Sequence, residues 1–433
     1  MRLASTAESG HRASFAEAVD RGLAPDGGLY LPESYPRLPA SLIEEWSRRG
    51  FASLSEEVAR RLLGDEIPED ALASITAEAF DFPVLLRRLD ERLSVLELFH
   101  GPTLAFKDIG ARFMARVMAW THRNAEREIV VLVATSGDTG GAVASGFAGV
   151  PGVRVVLLYP RGRVSRLQEL QLTTGGENIL ALRVDGTFDD CQRLVKQAFR
   201  DPGLQHGRTL TSANSINIGR LLPQSFYYLL AWGQLRAESP AVMFVVPSGN
   251  LGNITAGLMA REMGATTDHL VAAMNVNDVF GHYLESGRYQ PRPATRTLSN
   301  AMDVGDPSNL VRIRAMFADD LAALRRVVSG SSATDQETRK ALRDAFERYG
   351  YVFDPHGAVA YGAARRHVEE REGEGHAVVL ATAHPAKFPE ALDDQQRAAA
   401  GVPEALRKLE GCRQRVTPIS NSYEELRGVL SAL

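Results

Sequence analysis

Several scarcities bound what this chain can be. Two cysteines in 433 residues, Cys191 and Cys412, are too few and too far apart for a disulfide framework or a cysteine metal cage. No metal site is expected. Long apolar runs are also missing: Val130–Ala134, Ala241–Val246 and Ala377–Ala383 fall well short of the ~18 residues a membrane span requires. The opening stretch Met1–Gly10 carries no apolar core of the signal-peptide kind, so a cytoplasmic location is expected. Neither charge sign dominates, because 49 basic and 53 acidic residues leave a formal net charge of −4. That balance offers no electrostatic footprint for nucleic acid or an anionic membrane. Lysine is scarcest of the charged residues: only Lys107, Lys196, Lys340, Lys387 and Lys408 stand against 44 arginines. Genomic base composition accounts for such a bias, yet it restricts any amine chemistry to five side chains.

What is present is ordinary for a globular protein, 44% hydrophobic and 24% charged, in a chain too long for one core. Residues 1–90 read as a mostly helical N-terminal domain, with helical spacing over 14–21, 40–49, 54–63 and 71–79 and a loop with a short strand over 23–32. From Ser94 onward short Val/Ile/Leu-rich runs alternate with helical patterns. Strands are predicted over 129–135, 153–159, 179–184, 209–212, 242–247, 270–275 and 377–382, and helices over 164–172, 189–200, 218–235, 334–349 and 358–370. That alternation predicts an α/β fold with parallel sheets covered on both faces. We divide it into a smaller α/β domain, 91–235, and a larger one, 236–433. Residues 286–311, with three prolines, are irregular and too long to be a mere connection.

Four segments carry polar or reactive groups at strand ends. In His100-Gly-Pro-Thr-Leu-Ala-Phe-Lys-Asp-Ile-Gly110, Lys107 follows Leu104, Ala105 and Phe106 at a loop-to-helix junction. Apolar surroundings disfavour an ammonium ion, as imine-forming lysines require; a surface lysine at a helix start, with Asp108 as an N-terminal charge, is the alternative. In Ala134-Thr-Ser-Gly-Asp-Thr-Gly140, Ser136, Asp138 and Thr139 stand on a Gly-rich strand-to-helix turn, suited to an anion or carboxylate or simply to the geometry of a turn. Val246-Pro-Ser-Gly-Asn-Leu-Gly-Asn253 repeats the pattern and matches neither a Walker A loop nor a dinucleotide fingerprint. A single phosphate suits it. Thr382 ends the strand before His384, Pro385 and Lys387, where it could meet a ligand ring atom. Asn214, Ser215, Asn217 and Arg220, and further on Ser308, Asn309 and Arg312, form two more polar clusters, whose arginines could hold phosphate or carboxylate bidentately.

A lysine in an apolar loop, a phosphate-sized glycine loop and a ring-contacting threonine suggest pyridoxal 5′-phosphate (PLP). Their order resembles the tryptophan synthase β-like (fold type II) PLP enzymes. Gly28-Leu-Tyr-Leu-Pro32, His100-Gly-Pro-Thr-Leu-Ala-Phe-Lys-Asp108, Thr135-Ser-Gly-Asp-Thr-Gly140, Asn214-Ser-Ile-Asn217, Gly249-Asn-Leu-Gly-Asn253, Asp303-Val-Gly-Asp-Pro-Ser-Asn309, Asp354-Pro-His356 and Thr382-Ala-His-Pro-Ala-Lys387 are similar to the threonine synthase family, in its bacterial and fungal branch. The wording departs from that family at Ala7 and Ile109.

The resemblance implies two parallel-sheet α/β domains with a helical N-terminal extension, and Lys107 as the Schiff-base lysine. It implies that Gly249, Asn250, Leu251, Gly252 and Asn253 cradle the cofactor phosphate and that Thr382 contacts the pyridine nitrogen. Ser136, Asp138, Thr139, Asn214, Ser215, Asn217, Arg220, Ser308, Asn309, Arg312 and Lys387 are the candidates for binding substrate. The implied reaction is a lyase step of threonine biosynthesis, from O-phospho-L-homoserine and water to L-threonine and phosphate, in a monomer or homodimer. A PLP-dependent phospho-lyase or threonine dehydratase-like enzyme giving 2-oxobutyrate is the alternative activity. A phosphometabolite-binding α/β protein is the alternative without catalysis.

Overall fold

The Val- and Ile-rich runs become central strands because residues buried on both faces gain most from leaving water. A computed structural model describes residues 1–433 apart from 8–9, 124–127, 205–207, 240 and 371–374. Its strands are β1 (Arg2–Ser5), β2 (Arg12–Ser14), β3 (Tyr30–Pro32), β4 (Leu85–Arg88), β5 (Leu93–Glu97), β6 (Glu128–Ala134), β7 (Val153–Pro160), β8 (Ile179–Asp185), β9 (Arg208–Ser212), β10 (Val242–Pro247), β11 (His269–Met274), β12 (Val328–Ser332), β13 (His376–Ala381) and β14 (Thr417–Ser420).

A parallel five-stranded sheet runs β14-β8-β7-β6-β9. A six-stranded sheet runs β12-β11-β10-β13-β5-β4, parallel except for its edge strand β4. Two segments cross the linear division at 91 and 236. Strand β5 pairs with β13 in the large sheet, Leu93 opposite Ala377, because Leu93, Val95 and Leu96 are buried there. Strand β14 returns from the far end of the chain to pair with β8, Thr417 opposite Leu182.

The N-terminal extension holds the four expected helices, Phe15–Arg21, Ala40–Arg48, Phe51–Leu63 and Glu69–Ala79. The short strand expected within 23–32 is β3, and it joins an antiparallel sheet β2-β1-β3 whose other two strands helical periodicity did not reveal. The single helix expected over 218–235 is two, Ile218–Leu221 and Gln224–Leu235. Pro223 separates them, since it has no N–H to continue the ladder and its ring crowds the preceding turn. Segment 286–311 is irregular as expected, with one short 3-10 turn at Asn300–Met302 before the helix Leu310–Met316.

Helix starts are closed by side chains. Thr334 caps Asp335–Tyr349, its hydroxyl accepting from Glu337 N while Glu337 Oε2 accepts from Thr334 N at 2.7 Å. Thr334→Ala is expected to cost about 1 kcal/mol, lowering Tm by about 2 °C with turnover unchanged; calorimetry and a rate assay check both. No described helix is long and apolar enough to cross a membrane.

The loops that leave the C-terminal ends of β5, β6, β9, β10 and β13 carry most of the predicted reactive residues, Lys107 at the end of the first. In open parallel sheets that end is where ligands bind.

Candidate active site

Lys107 is the first residue of the helix Lys107–Thr121, and the loop before it is held from both sides. Behind it, Asp108 is fully buried and accepts from Thr103 N at 2.9 Å and Thr103 Oγ1 at 2.6 Å. Asp108 is therefore a buried loop anchor, not a solvent-facing helix charge, and burial pushes its carboxyl upward from the usual range. In front, the loop lies along the segment after β13: Phe106 N donates to Thr382 O at 2.9 Å and His384 N donates to Leu104 O at 3.0 Å. Lys107 Nζ stands 4.9 Å from the centre of the Phe106 ring. Burial lowers the basicity of its amine, and Asp138 only partly restores it.

Asp138 arrives from the turn after β6. Thr135 Oγ1 accepts from Gly137 N at 3.0 Å and Gly140 N at 2.8 Å, folding the turn tightly. Gly137 has φ +136°, and a Cβ there would lie 2.5 Å from the Gln168 side chain, so only glycine lets that glutamine approach. The Asp138 carboxylate is 4% exposed. Its Oδ2 lies 4.0 Å from Lys107 Nζ; its Oδ1 lies 2.7 Å from Lys387 Nζ and 3.0 Å from Gln168 Nε2. Burial works against ionisation, yet Lys387 and Lys107 outweigh it and hold this carboxyl well below the usual range. Lys387 is wholly buried and also donates to Thr103 O at 2.9 Å. Ser136 and Thr139 are half-buried on the same turn.

The loop after β10 places Leu251 in the left-handed region, φ +60°, directly ahead of the helix Gly252–Met263. The first bond into that helix is Thr255 N to Leu251 O at 3.0 Å, so the N–H groups of 252–254 have no carbonyl of their own helix to bond. Such a terminus suits an anion. A Cβ on Gly249 would lie 2.7 Å from Met302 Cα, so the loop rests directly on the 299–303 segment. Asn253 Oδ1 accepts from Tyr227 Oη at 2.6 Å and Tyr228 Oη at 2.7 Å, while its buried Nδ2 has no protein partner. These features fit a cofactor phosphate. Gly249→Ala is expected to weaken PLP binding about tenfold or more through the forced loop shift, read by absorbance titration of the cofactor.

The polar clusters divide into two kinds. Asn250 donates to Ser215 Oγ at 2.8 Å and accepts from Ser308 N at 2.6 Å, and Asn309 Nδ2 donates to Asn250 O at 3.0 Å. Those residues join the phosphate loop to its neighbours. Asn214 Nδ2 donates to Ala134 O at 3.0 Å, tying the end of β9 to β6. Asn217 is fully buried: Nδ2 donates to Val19 O and Ser212 O, and Oδ1 accepts from Gly219 N at 2.9 Å. Arg312, also fully buried, donates to Tyr30 O, Ser215 O, Ile216 O and Asn309 Oδ1. Both were expected to meet substrate. In the folded chain their donors go to backbone carbonyls, of Val19 and Ser212 for Asn217 and of Tyr30, Ser215 and Ile216 for Arg312. Arg220 differs: it donates to Ala213 O, but its buried Nε has no protein partner. Burial pushes its guanidinium down to about 10.

Sequence reasoning missed Thr103, Gln168 and Gln171. Gln171 Nε2 donates to Thr103 O at 2.9 Å, the carbonyl that Lys387 also grips. Gln168 had a readable signal. It forms a capping box with Ser165, accepting from Ser165 N at 3.0 Å, which leaves its amide nitrogen for Asp138.

Comparison with known proteins gives this geometry its family. The description "Pyridoxal-phosphate dependent enzyme" matches residues 80–383, flanked by "Threonine synthase N terminus" over 2–80 and "Threonine synthase, C-terminal" over 357–430. The threonine synthase of Escherichia coli K12 is 43% identical over 394 residues, 91% of this chain and 90% of that protein. The chain belongs to the threonine synthase family. The crystal structure of the threonine synthase from Escherichia coli superposes with a TM-score of 0.91 at 40% identity, covering 100% of both chains. A PLP-bound threonine synthase from Brucella melitensis superposes equally well, TM-score 0.91 at 36% identity, over 100% of this chain and 99% of that one. The fold is therefore the fold type II architecture of the threonine synthases, with its N-terminal extension and C-terminal segment both present.

Proposed function

We propose that this chain converts O-phospho-L-homoserine and water into L-threonine and phosphate, in the cytoplasm, with PLP carried by Lys107. The observation that supports it most is the half-buried amine of Lys107 facing the Asp138–Lys387 pair, in a member of this family. The bound cofactor would supply a pyridine ring that accepts electron density from the substrate Cα. Gly249, Asn250, Leu251, Gly252 and Asn253 would hold its phosphate, and Thr382 would meet its ring nitrogen. A neutral hydroxyl there withdraws less charge than a carboxylate-paired, protonated ring nitrogen would.

Lys107 is the base that would take the proton from the substrate Cα and serve the proton transfers at Cβ and Cγ. Ser136 and Thr139 orient the substrate, beside Ser215. Arg220, with its unpaired Nε, and the exposed Ser308 are the groups we assign to the substrate's anionic ends. Asp138, Lys387 and the Asp108 anchor behind Lys107 are themselves buried, which limits the water around the amine.

The test is product analysis. Incubated with PLP and O-phospho-L-homoserine, the protein is expected to release threonine and phosphate in equal amounts. Release of 2-oxobutyrate as the main product would assign the chain to the phospho-lyase reading. A protein that stays colourless after PLP is added would remove the enzyme reading altogether.

A further inference from the structure

Lys387 stands one contact away from the reacting amine, with its own ammonium buried among polar groups. We propose that Lys387 is a positioning residue: by holding the Asp138 carboxylate 4.0 Å away from the Lys107 amine, it keeps that amine free to act. This rests on the assignment of Lys107 as the reacting lysine.

The argument is one of competition for a single carboxylate. Asp138 Oδ1 is taken by Lys387 Nζ at 2.7 Å and by Gln168 Nε2 at 3.0 Å, which turns Oδ2 toward Lys107 at a distance longer than a hydrogen bond. Without Lys387, the buried carboxylate would have Lys107 as its nearest countercharge. The two would close into an ion pair, and a paired ammonium is neither nucleophile nor base. Lys387 is itself fixed by Thr103 O at 2.9 Å, a carbonyl of the loop that carries Lys107. Amine, carboxylate and second lysine are thus held in one frame.

A second consequence concerns charge when the Lys107 amine is consumed by the cofactor. A buried carboxylate whose sole partner had been that ammonium would be left uncompensated, which is costly. Paired with Lys387, Asp138 stays neutralised whatever the state of Lys107. The other charges facing Lys107 are Arg220, from the helix Ile218–Leu221, and Asp354, ahead of the helix Pro355–Glu370. Arg220 repels the ammonium as Lys387 does. Asp354 attracts it, but is engaged by His356 Nδ1 at 2.6 Å. Phe106, on the lysine's own loop, contributes a ring face.

The test reads the Lys107 amine directly. The full-length chain, stripped of cofactor, is labelled with trace formaldehyde and cyanoborohydride across a pH series, and methylation of Lys107 is followed by mass spectrometry. Lys387→Met is expected to move the midpoint of Lys107 reactivity upward by about one pH unit or more. The double variant Lys387→Met with Asp138→Asn is expected to return it to the wild-type midpoint or below. A Lys387→Met midpoint equal to wild type, in a chain with wild-type circular dichroism, overturns the proposal. Should Lys387→Met fail to fold, Lys387→Gln, which keeps a donor for Thr103 O, is read in the same way: a raised midpoint supports the competition, and an unchanged one rejects it. No substrate is present in this assay. Failure of the phosphohomoserine reaction would therefore leave the labelling result standing, and the two readings fail separately.

Discussion

Lys107→Ala is expected to lose the absorption band of cofactor-loaded protein and to reduce turnover by at least about 10³-fold. Two contributions disappear together. The amine that carries the cofactor is gone, and so is the general base, itself worth roughly 10²–10⁴. Of the other four lysines, only Lys387 reaches this site, and its ammonium is committed to Asp138 and Thr103 O. It has no freedom to substitute. The measurement is the visible spectrum after PLP addition, followed by single-turnover kinetics with O-phospho-L-homoserine. A variant that keeps the wild-type band would show that another amine carries the cofactor.

The second large effect concerns stability. Arg312→Ala is expected to cost about 4 kcal/mol, since it strips the donor from three backbone carbonyls, Tyr30 O, Ser215 O and Ile216 O, and leaves a void. Its guanidinium joins β3 of the extension, the turn after β9 and the helix Leu310–Met316. Loss of that joint is felt in three places at once. Arg312→Lys should recover little, because one ammonium cannot reproduce the planar fork. Urea unfolding with extrapolated free energies checks this; a loss below about 1 kcal/mol would show that the carbonyls find other donors.

The reactive parts of the site were legible in the sequence because their constraints are local. A lysine after Leu-Ala-Phe, two strand–glycine–helix turns and a strand ending in Thr382 each declare themselves within ten residues. The strands from β6 to β13 were legible wherever both faces are buried, since hydrophobic runs then need no partner to be recognised. What stayed hidden depends on distant chain. Strands β1 and β2 span only three or four residues each, and pairing with each other and with β3, the short strand expected within 23–32, makes them strands. Arg312 and Asn217 look like ligand donors in a sequence. Only the folded chain shows which carbonyls already claim them. Lys387 was recognisable as an amine near Thr382, but its pairing with Asp138 joins a segment after β13 to a turn after β6, which no local pattern encodes.

The crossing of the chain between its two sheets bears on how the molecule is made. During synthesis β8 emerges long before β14, its edge partner, which lies near the end of the chain. Until β14 leaves the ribosome, β8 presents an open edge, the surface on which strands of other chains add. Likewise β5 waits for β13 to take its place in the large sheet. Neither sheet can be completed by a nascent chain in passing, and distant pairings of this kind are slow to form. A chain clipped before β14 is thus left with an unprotected sheet margin at β8.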